Sequence, residues 1–350
     1  MKNHKRLLAL GAAAVMTATL FAGCGPKENG GSANEPNSGA EGTDYKIAVV
    51  PKMTNIGWFQ RMEDGVEAYN ADNGTNYVYR GSAEGADQAG VVEQLLAEDW
   101  DAICVVPFDS ESLAPVLEKA RDQGIVVITH EASSMDPKYF DYDVEAFVNA
   151  DYGTHFAEEL AELAGGEGKY IQFVGDLNSV SHNEWCDAAD EYFAANTNMT
   201  NAGRYETGDD TTSSYNQTKE LLQANPDIVA IQGSASTDVV GAAQAVEELG
   251  LTGKVAVVGT SMTSIARQFV ESDTIATFSV WDPAEAGKAM IEMAIAVLDA
   301  KAAGTELDTS ALSLNAAGYD TLTPDADVPT VLYGNARVDV TKDNLDDYDF

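Results

Sequence analysis

Two charged side chains follow apolar runs in the first half of the chain. Lys52 comes two positions after Val50, and Glu131 comes soon after the run at residues 125–129. Burying a charged group without a partner costs free energy, so each position needs a reason. Either the two side chains pair with each other as part of the fold, or they bind a polar ligand.

Tryptophan residues lie near polar residues at two positions. Trp58 follows Lys52, and Trp281 directly precedes Asp282. A flat apolar ring beside a carboxylate suits the C–H face of a sugar whose hydroxyl groups donate to that carboxylate. The pattern favours a sugar-like ligand, whereas Phe59 is more typical of a helix core.

Other polar residues follow apolar runs and could either bind a ligand or cap the next helix. Ser and Asp are common N-caps, so capping is an equal alternative for Asp109, Ser181 and Ser236. The full set of candidate ligand-binding residues is Lys52, Trp58, Phe59, Asp109, Glu131, Ser181, His182, Ser234, Ser236, Trp281 and Asp282.

Motifs of catalysis and metal binding are missing from the sequence. It contains no phosphate-binding loop, no HExxH pattern and no GxSxG pattern. Ser181 and His182 are adjacent in sequence, and neighbouring residues do not form a nucleophile and its base. The Cys and His spacing does not suggest zinc. We therefore expect a binding protein without cofactor or metal, and a hydrolase is disfavoured.

The candidate residues lie between strand-like runs that alternate with helical patterns. Strands are predicted at residues 47–51, 77–79, 102–107, 125–129, 147–149, 170–174, 228–232, 255–259 and 276–281. Helices are predicted at residues 59–73, 86–98, 112–123, 152–164, 183–195, 213–224, 237–249 and 283–302. Strands that are apolar throughout must be covered on both faces, which indicates an α/β fold with parallel sheets. Ligands bind such sheets at the carboxyl ends of the strands, where the candidates lie.

The chain beyond residue 44 suits two doubly wound domains better than one core. The predicted N-terminal lobe comprises residues 45–150 plus 283–312, and the C-terminal lobe comprises residues 151–282 plus 313–350. A late strand-like segment at residues 330–340 indicates that the chain returns from one domain to the other. Hinge segments are predicted near residues 149–151, 281–283 and 311–318.

The first 44 residues have a different character. Residues 1–6 are basic, residues 7–20 are apolar but short for a membrane span, and small residues precede Cys24. This arrangement resembles a bacterial lipoprotein signal peptide at residues 1–23, with Cys24 as the lipid anchor. An ordinary signal peptide or a short buried helix is the alternative. Residues 24–44 read as a flexible tether, which places the folded part outside the cytoplasmic membrane.

Composition excludes two classes of protein. The 350 residues are 45% hydrophobic, which is too much for a disordered chain. Lys and Arg number 20 against 57 Asp and Glu, giving a net charge of −37. Nucleic-acid binding needs a surplus of basic residues, so we expect no nucleic-acid partner.

Several segments resemble the ribose-type periplasmic binding proteins of ABC importers. They are YKIAVVPKMTNIGWF at residues 45–59, DAICVVPFDSESLAPVLEKA at residues 101–120, residues 255–260, FSVWDPAEAGK at residues 278–288 and the ending TKDNLDDYDF. The likeness spans residues 45–350. The tripeptide at residues 50–52 and the ending are more similar to the branch that binds rhamnose or the signal autoinducer-2.

The resemblance implies two lobes, joined by a three-segment hinge, that enclose a sugar. It implies that Lys52 and Trp58 line the wall of the first lobe, that Glu131 stands where the family has a ligand-holding Asp, and that Asp282 binds hydroxyl groups.

This sequence departs from the autoinducer-2 binders at two places. It has Ser181 and His182 where they have Asp and Gln, and Ser234 and Ser236 where they have Pro and Ala. A lost hydrogen-bond partner in an enclosed site costs about 1–3 kcal/mol, which argues against autoinducer-2 as the main ligand. The serines favour a sugar with more oxygen atoms.

The leading hypothesis is a monomeric lipoprotein on the extracellular face of the cytoplasmic membrane, attached only through its lipid. It would bind a monosaccharide or related polyol and deliver it to the permease subunits of an ABC importer. The alternative is a sensory receptor that presents autoinducer-2 or a sugar to a kinase or chemoreceptor. A sugar-responsive repressor would need an N-terminal helix-turn-helix in place of the signal-like segment.

Overall fold

A computed structural model describes residues 45–348 and 350 of the chain. The predicted signal peptide at residues 1–23, the proposed lipid anchor Cys24 and the tether at residues 24–44 lie outside the described residues. Within the described part, no helix combines the length and the apolar character needed to cross a bilayer.

The N-terminal lobe is built on a seven-stranded sheet with the order β11-β12-β5-β4-β3-β1-β2, in which only β11 runs antiparallel. Its strands are β1 (Ile47–Val50), β2 (Val78–Tyr79), β3 (Ala102–Val105), β4 (Val126–Thr129), β5 (Tyr142–Glu145), β11 (Thr323–Pro324) and β12 (Val331–Tyr333). Its helices are α1 (Gly57–Asn73), α2 (Gln88–Leu95), α3 (Ser110–Asp122) and α9 (Pro283–Ala303).

The central strands of this sheet are buried on both faces. Ile47 and Val49 of β1 pack into the cluster that contains α1 and α9, whereas Ala48 and Val50 pack into the cluster that contains α2 and α3. Because successive side chains of a strand point to opposite faces, every position of such a strand must be apolar. This explains the unbroken apolar runs in the sequence.

The C-terminal lobe is built on parallel strands in the order β7-β6-β8-β9. A parallel bridge from Thr260 to Ser279 joins β10 to the β9 edge of this sheet. β10 pairs in turn with β13, which runs antiparallel to it. The strands are β6 (Glu167–Val174), β7 (Asn198–Glu206), β8 (Ile228–Gly233), β9 (Ala256–Gly259), β10 (Thr277–Val280) and β13 (Val338–Thr341). The helices are α4 (Asn149–Ala164), α5 (Val180–Asn196), α6 (Thr211–Ala224), α7 (Asp238–Glu248) and α8 (Thr263–Glu271). The predicted α/β class is confirmed.

The chain passes between the two sheets three times, at residues 146–148, 281–282 and 334–337. The first two passages lie close to predicted hinge segments. The third differs from the segment predicted at residues 311–318, because β12 pairs with β5 in the first sheet. Residues 313–333 therefore belong with the N-terminal lobe, which corrects their assignment to the C-terminal lobe. The strand-like segment at residues 330–340 contains two strands, β12 and β13, which are separated by residues 334–337 and lie in different sheets.

Besides the unpredicted two-residue strand β11, three elements differ from the sequence-based prediction. The strand predicted at residues 147–149 is instead β5 at Tyr142–Glu145, and Asn149 already begins α4. Acidic residues inside β5 break its apolar pattern. The predictions also omit β7, a partly exposed edge strand, and the short helix α8.

Candidate functional site

The carboxyl ends of strands from both lobes enclose a cavity of about 20 Å³. Eight of the predicted residues line it: Lys52, Trp58, Phe59, Glu131, His182, Ser234, Ser236 and Trp281. A cavity of this size has room for about one water molecule. A ligand the size of a sugar ring therefore requires the surrounding segments to move apart.

Lys52, which follows β1, and Glu131, which follows β4, form a buried ion pair in the N-terminal lobe. Lys52 Nζ donates to Glu131 Oε2 at 2.6 Å, and the two side chains are 3% and 4% exposed. Burial, the largest single effect, raises the pKa of Glu131, but the charge of Lys52, the electrostatic effects of His130 and His182 and the hydrogen bond from Lys52 together outweigh it, and the pKa falls to about 2. Glu131 is therefore ionised at neutral pH.

Glu131 also reaches the other lobe. Ser181 Oγ, in the first turn of α5, donates to Glu131 Oε2 at 3.1 Å. Glu131 has a positive φ of 58°, an uncommon conformation for a residue other than glycine. This strained position holds the carboxylate between a lysine of one lobe and a hydroxyl of the other.

His130 connects the end of β4 to Trp281. Trp281 Nε1 can only donate, so His130 Nε2 accepts from it at 3.2 Å. The ring proton then lies on Nδ1, which donates to the carbonyl oxygen of Val144 at 2.5 Å. His130 is therefore a neutral positioning residue for Trp281, and its Nε2 atom, 3.9 Å from Glu131 Oε1, carries no proton for an ion pair.

His182 is held neutral by its surroundings. Burial, and next the charge of Lys52, lower its pKa well below the usual value, against an opposing effect of Glu131. Its Nδ1 accepts from the backbone N–H of Gly175 at 3.0 Å. The remaining proton is therefore on Nε2, and the ring contributes a hydrogen-bond donor without a charge.

Trp58 and Trp281 form an apolar wall of the cavity. Their ring centroids are 4.6 Å apart with an interplanar angle of 72°, an edge-to-face contact. Phe147 packs against Trp281 with centroids 5.2 Å apart, and Trp185 lies behind at 5.9 Å. Because Trp281 donates to His130, its polar atom is satisfied and its ring is fixed.

The segment after β8 supplies the wall of the C-terminal lobe. Ser234 and Ser236 lie here, and Ser236 accepts a hydrogen bond from Ser261 Oγ through its carbonyl oxygen at 2.9 Å. The segment is fixed by the buried Asp238, whose carboxylate accepts from Ala235 N at 2.8 Å and from Thr207 Oγ1 at 2.7 Å. Burial raises the pKa of Asp238 to about 7.

Three predicted residues do not line the cavity. Ser181 acts through Glu131, as described above. Asp282 instead accepts two hydrogen bonds from Arg61, at 2.9 and 2.7 Å, and caps α9 through Ala284 N at 2.9 Å. Asp109 caps α3, accepting from the backbone N–H groups of the two residues at positions 111 and 112. Both carboxylates are thus occupied by helix starts, as an acidic residue after a strand commonly is.

Four cavity residues were not predicted: Ile56, Asp209, Ala235 and Thr260. Asp209 follows β7, the strand that the sequence pattern did not reveal. The tripeptide Gly208-Asp209-Asp210 reads as a turn before a helix, and Asp210 does cap α6 through Ser213 N at 2.7 Å. Recognition of residues 198–206 as a strand would have placed Asp209 at its carboxyl end, with the other candidates.

A family model described as a periplasmic binding protein domain matches residues 47–302. The chain is 27% identical to the D-allose-binding periplasmic protein of Escherichia coli, over 74% of this chain and 85% of that one. It is 28% identical to the D-ribose/D-allose-binding protein of Pseudomonas aeruginosa, over 61% of this chain and 70% of that one.

Solved structures show the same fold. LsrB from Clostridium saccharobutylicum, solved in complex with AI-2, aligns with a TM-score of 0.76 at 22% identity, covering 87% of this chain and 100% of that one. A solute-binding protein from Clostridium phytofermentas with bound L-rhamnose aligns with a TM-score of 0.78 at 20% identity, covering 87% and 98%. The matched proteins are named as binding proteins, not enzymes.

Proposed function

Because this chain belongs to the periplasmic binding protein domain family, we propose that it is the substrate-binding component of an ABC importer. It captures a monosaccharide or related polyol between its two lobes and delivers it to the permease. Relatives named for D-allose, D-ribose and xylitol support a ligand of this size and polarity.

The observation that carries the proposal is the buried contact of Lys52, Glu131 and Ser181. Lys52 donates to ligand oxygens, and the ionised Glu131 accepts from ligand hydroxyl groups, both through charge-assisted hydrogen bonds. Trp58 and Trp281 provide an apolar surface for the C–H face of the ring. Contacts that need both lobes form only in the closed state, so the ligand shifts the hinge equilibrium towards closure.

A thermal-unfolding panel tests the proposal. The purified protein, stripped of co-purified ligand, is heated with pentoses, hexoses, 6-deoxyhexoses, sugar alcohols and autoinducer-2. A ligand at 100 times its Kd stabilises by about 2.7 kcal/mol, a Tm increase on the order of 5–10 °C. A response to one class of sugar supports a monosaccharide or polyol ligand, whereas a response to autoinducer-2 alone supports that signal as the ligand. A flat panel rejects both.

We also propose that Cys24 carries a lipid that holds the protein on the outer face of the cytoplasmic membrane, as a monomer. The small residues before Cys24 and the basic, then apolar, leader support this. A Cys24→Ser variant should leave the membrane fraction and keep its sugar affinity. Retention of that variant in the membrane fraction would contradict the anchor, and light scattering measures the oligomeric state.

A further inference from the structure

Asp209 lies where the closed cavity meets a wider groove between the lobes. The groove has a volume of about 670 Å³, and only Ile56 and Asp209 line both it and the cavity. Asp176, Glu206 and Asp210 also line the groove. A ligand that passes from the groove to the cavity therefore passes Asp209.

One carboxylate oxygen of Asp209 is buried without a hydrogen-bond partner in the described part of the chain. The residue is 5% exposed, and its Oδ1 atom is fully buried and bonded to no group in the described part of the chain. Its backbone has a positive φ of 53°. The carboxylate packs against Gly175, where an added Cβ would lie 1.9 Å from Oδ1, so a larger residue at position 175 would displace the carboxylate.

The other titratable groups around the cavity all have partners. Lys52 and Glu131 neutralise each other, Asp238 accepts from Thr207 and a backbone N–H, and His182 is neutral. Asp209 is the exception among the cavity-lining residues. A buried charge without compensation is costly, so this carboxylate needs either a proton or donors from a ligand.

We propose that Asp209 is a further ligand-contacting residue, which accepts hydrogen bonds from hydroxyl or ammonium groups of the ligand and excludes ligands with an anionic group at that position. This rests on the proposed function and adds a substrate class to it: neutral or amino sugars, not acid sugars. The acidic groove residues Asp176, Glu206 and Asp210 repel anions along the same route.

The charged groups around Asp209 predict that ligand affinity depends on pH. Burial raises the pKa of Asp209 to about 6, with Lys52 opposing and Glu131 and Asp176 adding to the increase. Asp238 lies near enough to interact with it. Since ligand donors favour the ionised form, the affinity should be constant above about pH 7 and fall below pH 6, about tenfold by pH 5.

Isothermal titration of wild-type protein and Asp209→Asn tests the inference. The neutral probes are D-ribose, D-allose and L-rhamnose, and the charged probes are D-galactosamine and D-galacturonate. Asparagine tolerates a positive φ, so the variant keeps the backbone geometry. We expect Asp209→Asn to bind the preferred neutral probe about tenfold more weakly at pH 7.5, to lose the pH dependence, and to bind D-galacturonate more tightly than the wild type does.

Asp210→Asn is the matched control. It removes the same charge from the same loop, and Asn keeps the cap that Asp210 provides to α6. We expect wild-type affinities for the neutral probes and wild-type pH dependence from this control. If Asp210→Asn changes affinity and pH dependence as Asp209→Asn does, the long-range charge of the groove causes these changes. The proposed direct contact between Asp209 and the ligand would then be wrong.

The remaining outcomes separate the two proposals. Wild-type affinity and pH dependence in Asp209→Asn would overturn the role of Asp209 and leave sugar binding intact. Failure of the wild type to bind any probe would overturn both. A purely structural role predicts a lower Tm for ligand-free Asp209→Asn, whereas loss of an uncompensated buried charge should raise it at pH 7.5. If Asp209→Asn does not fold, the pH dependence of ligand affinity in the wild type still tests the role of Asp209.

Discussion

The two walls of the cavity differ in whether their buried carboxylates have a cationic partner. In the N-terminal lobe, Lys52 and Glu131 compensate each other, and the pKa of Glu131 falls to about 2. In the C-terminal lobe, Asp209 and Asp238 have no cationic partner, and burial raises their pKa values to about 6 and about 7. One wall is electrostatically complete by itself, whereas the other requires protons or a ligand.

In the proposed closure of the lobes, the two walls therefore have different roles. The paired wall is available to position a ligand in either hinge state, since both partners belong to one lobe. The unpaired wall is stabilised most when a ligand donates hydrogen bonds to it. This stabilisation exists only when the lobes are closed around the ligand. We infer that the C-terminal wall provides more of the ligand dependence of closure.

Breaking the paired wall should have the largest effect. Glu131→Gln leaves Lys52 buried without a counter-charge, and we expect a loss of about 3–5 kcal/mol in the free energy of unfolding, measured with urea. Sugar binding should be lost as well.

The double variant Lys52→Met with Glu131→Gln is the control for that loss. It removes both charges, so it should recover most of the stability and none of the sugar binding. Recovery of binding would show that the ion pair is structural and that the ligand is held elsewhere.

The pH dependence of stability should sharpen the contrast between the walls. The contribution of Glu131 is complete above about pH 4.5 and is lost as the pH falls towards 2. That of Asp209 and Asp238 is complete below about pH 4 and is lost as the pH rises through 6 and 7. Ligand-free protein should therefore be most stable near pH 4–5, with a loss of about 3 kcal/mol on the acid side and a larger loss on the alkaline side, where two carboxyl groups contribute.

Urea unfolding from pH 2.5 to pH 8 measures this profile. Asp209→Asn should make the limb above pH 5 shallower, with the contribution of Asp238 remaining, and leave the limb below pH 4 unchanged. A single maximum near pH 7 would contradict the opposite pKa shifts of the two walls.

The contact between the walls should have a smaller effect. Ser181→Ala removes the hydroxyl group that reaches Glu131 from the C-terminal lobe. A hydrogen bond to a charged group contributes about 1.5–3 kcal/mol, so we expect sugar affinity to fall roughly tenfold in calorimetry. Thr263→Ala, in the same lobe outside the cavity-lining set, is the control and should leave affinity unchanged.

Asp282→Asn should have the smallest effect on binding. Asp282 is engaged by Arg61 and caps α9, and the Arg61 and Asp282 side chains are 34% and 21% exposed. Loss of such a partly exposed pair should cost about 1 kcal/mol of stability, while the sugar affinity stays within a factor of two. A large loss of affinity would restore the ligand-binding role that the sequence predicts for this residue.

Strands buried on both faces could be predicted from the sequence, because burial leaves an unbroken apolar run. The parts that could not be predicted break that rule. Asp143 and Glu145 interrupt β5, and the edge strand β7 is partly exposed along most of its length. The passage at residues 334–337 could not be recognised because two short strands of different sheets follow each other in one strand-like segment.

The site shows the same limit. Lys52 and Glu131 were recognisable because a buried charge at a strand end demands a partner. Asp282 is likewise a charged residue that follows an apolar strand. However, Pro283 begins the next helix, and Asp282 caps that helix. Local sequence does not distinguish these roles, since the choice depends on Arg61, which lies 221 positions away in the chain.

The edge-to-face ring cluster at the cavity has a practical consequence. Of the four tryptophans in the chain, Trp58, Trp185 and Trp281 lie in this cluster and Trp100 lies elsewhere. The molecule thus carries a built-in optical reporter: its ultraviolet emission is weighted towards the interface at which the proposed closure takes place. Replacing Trp100 with phenylalanine would reduce the background and allow hinge motion to be followed in real time without an attached dye.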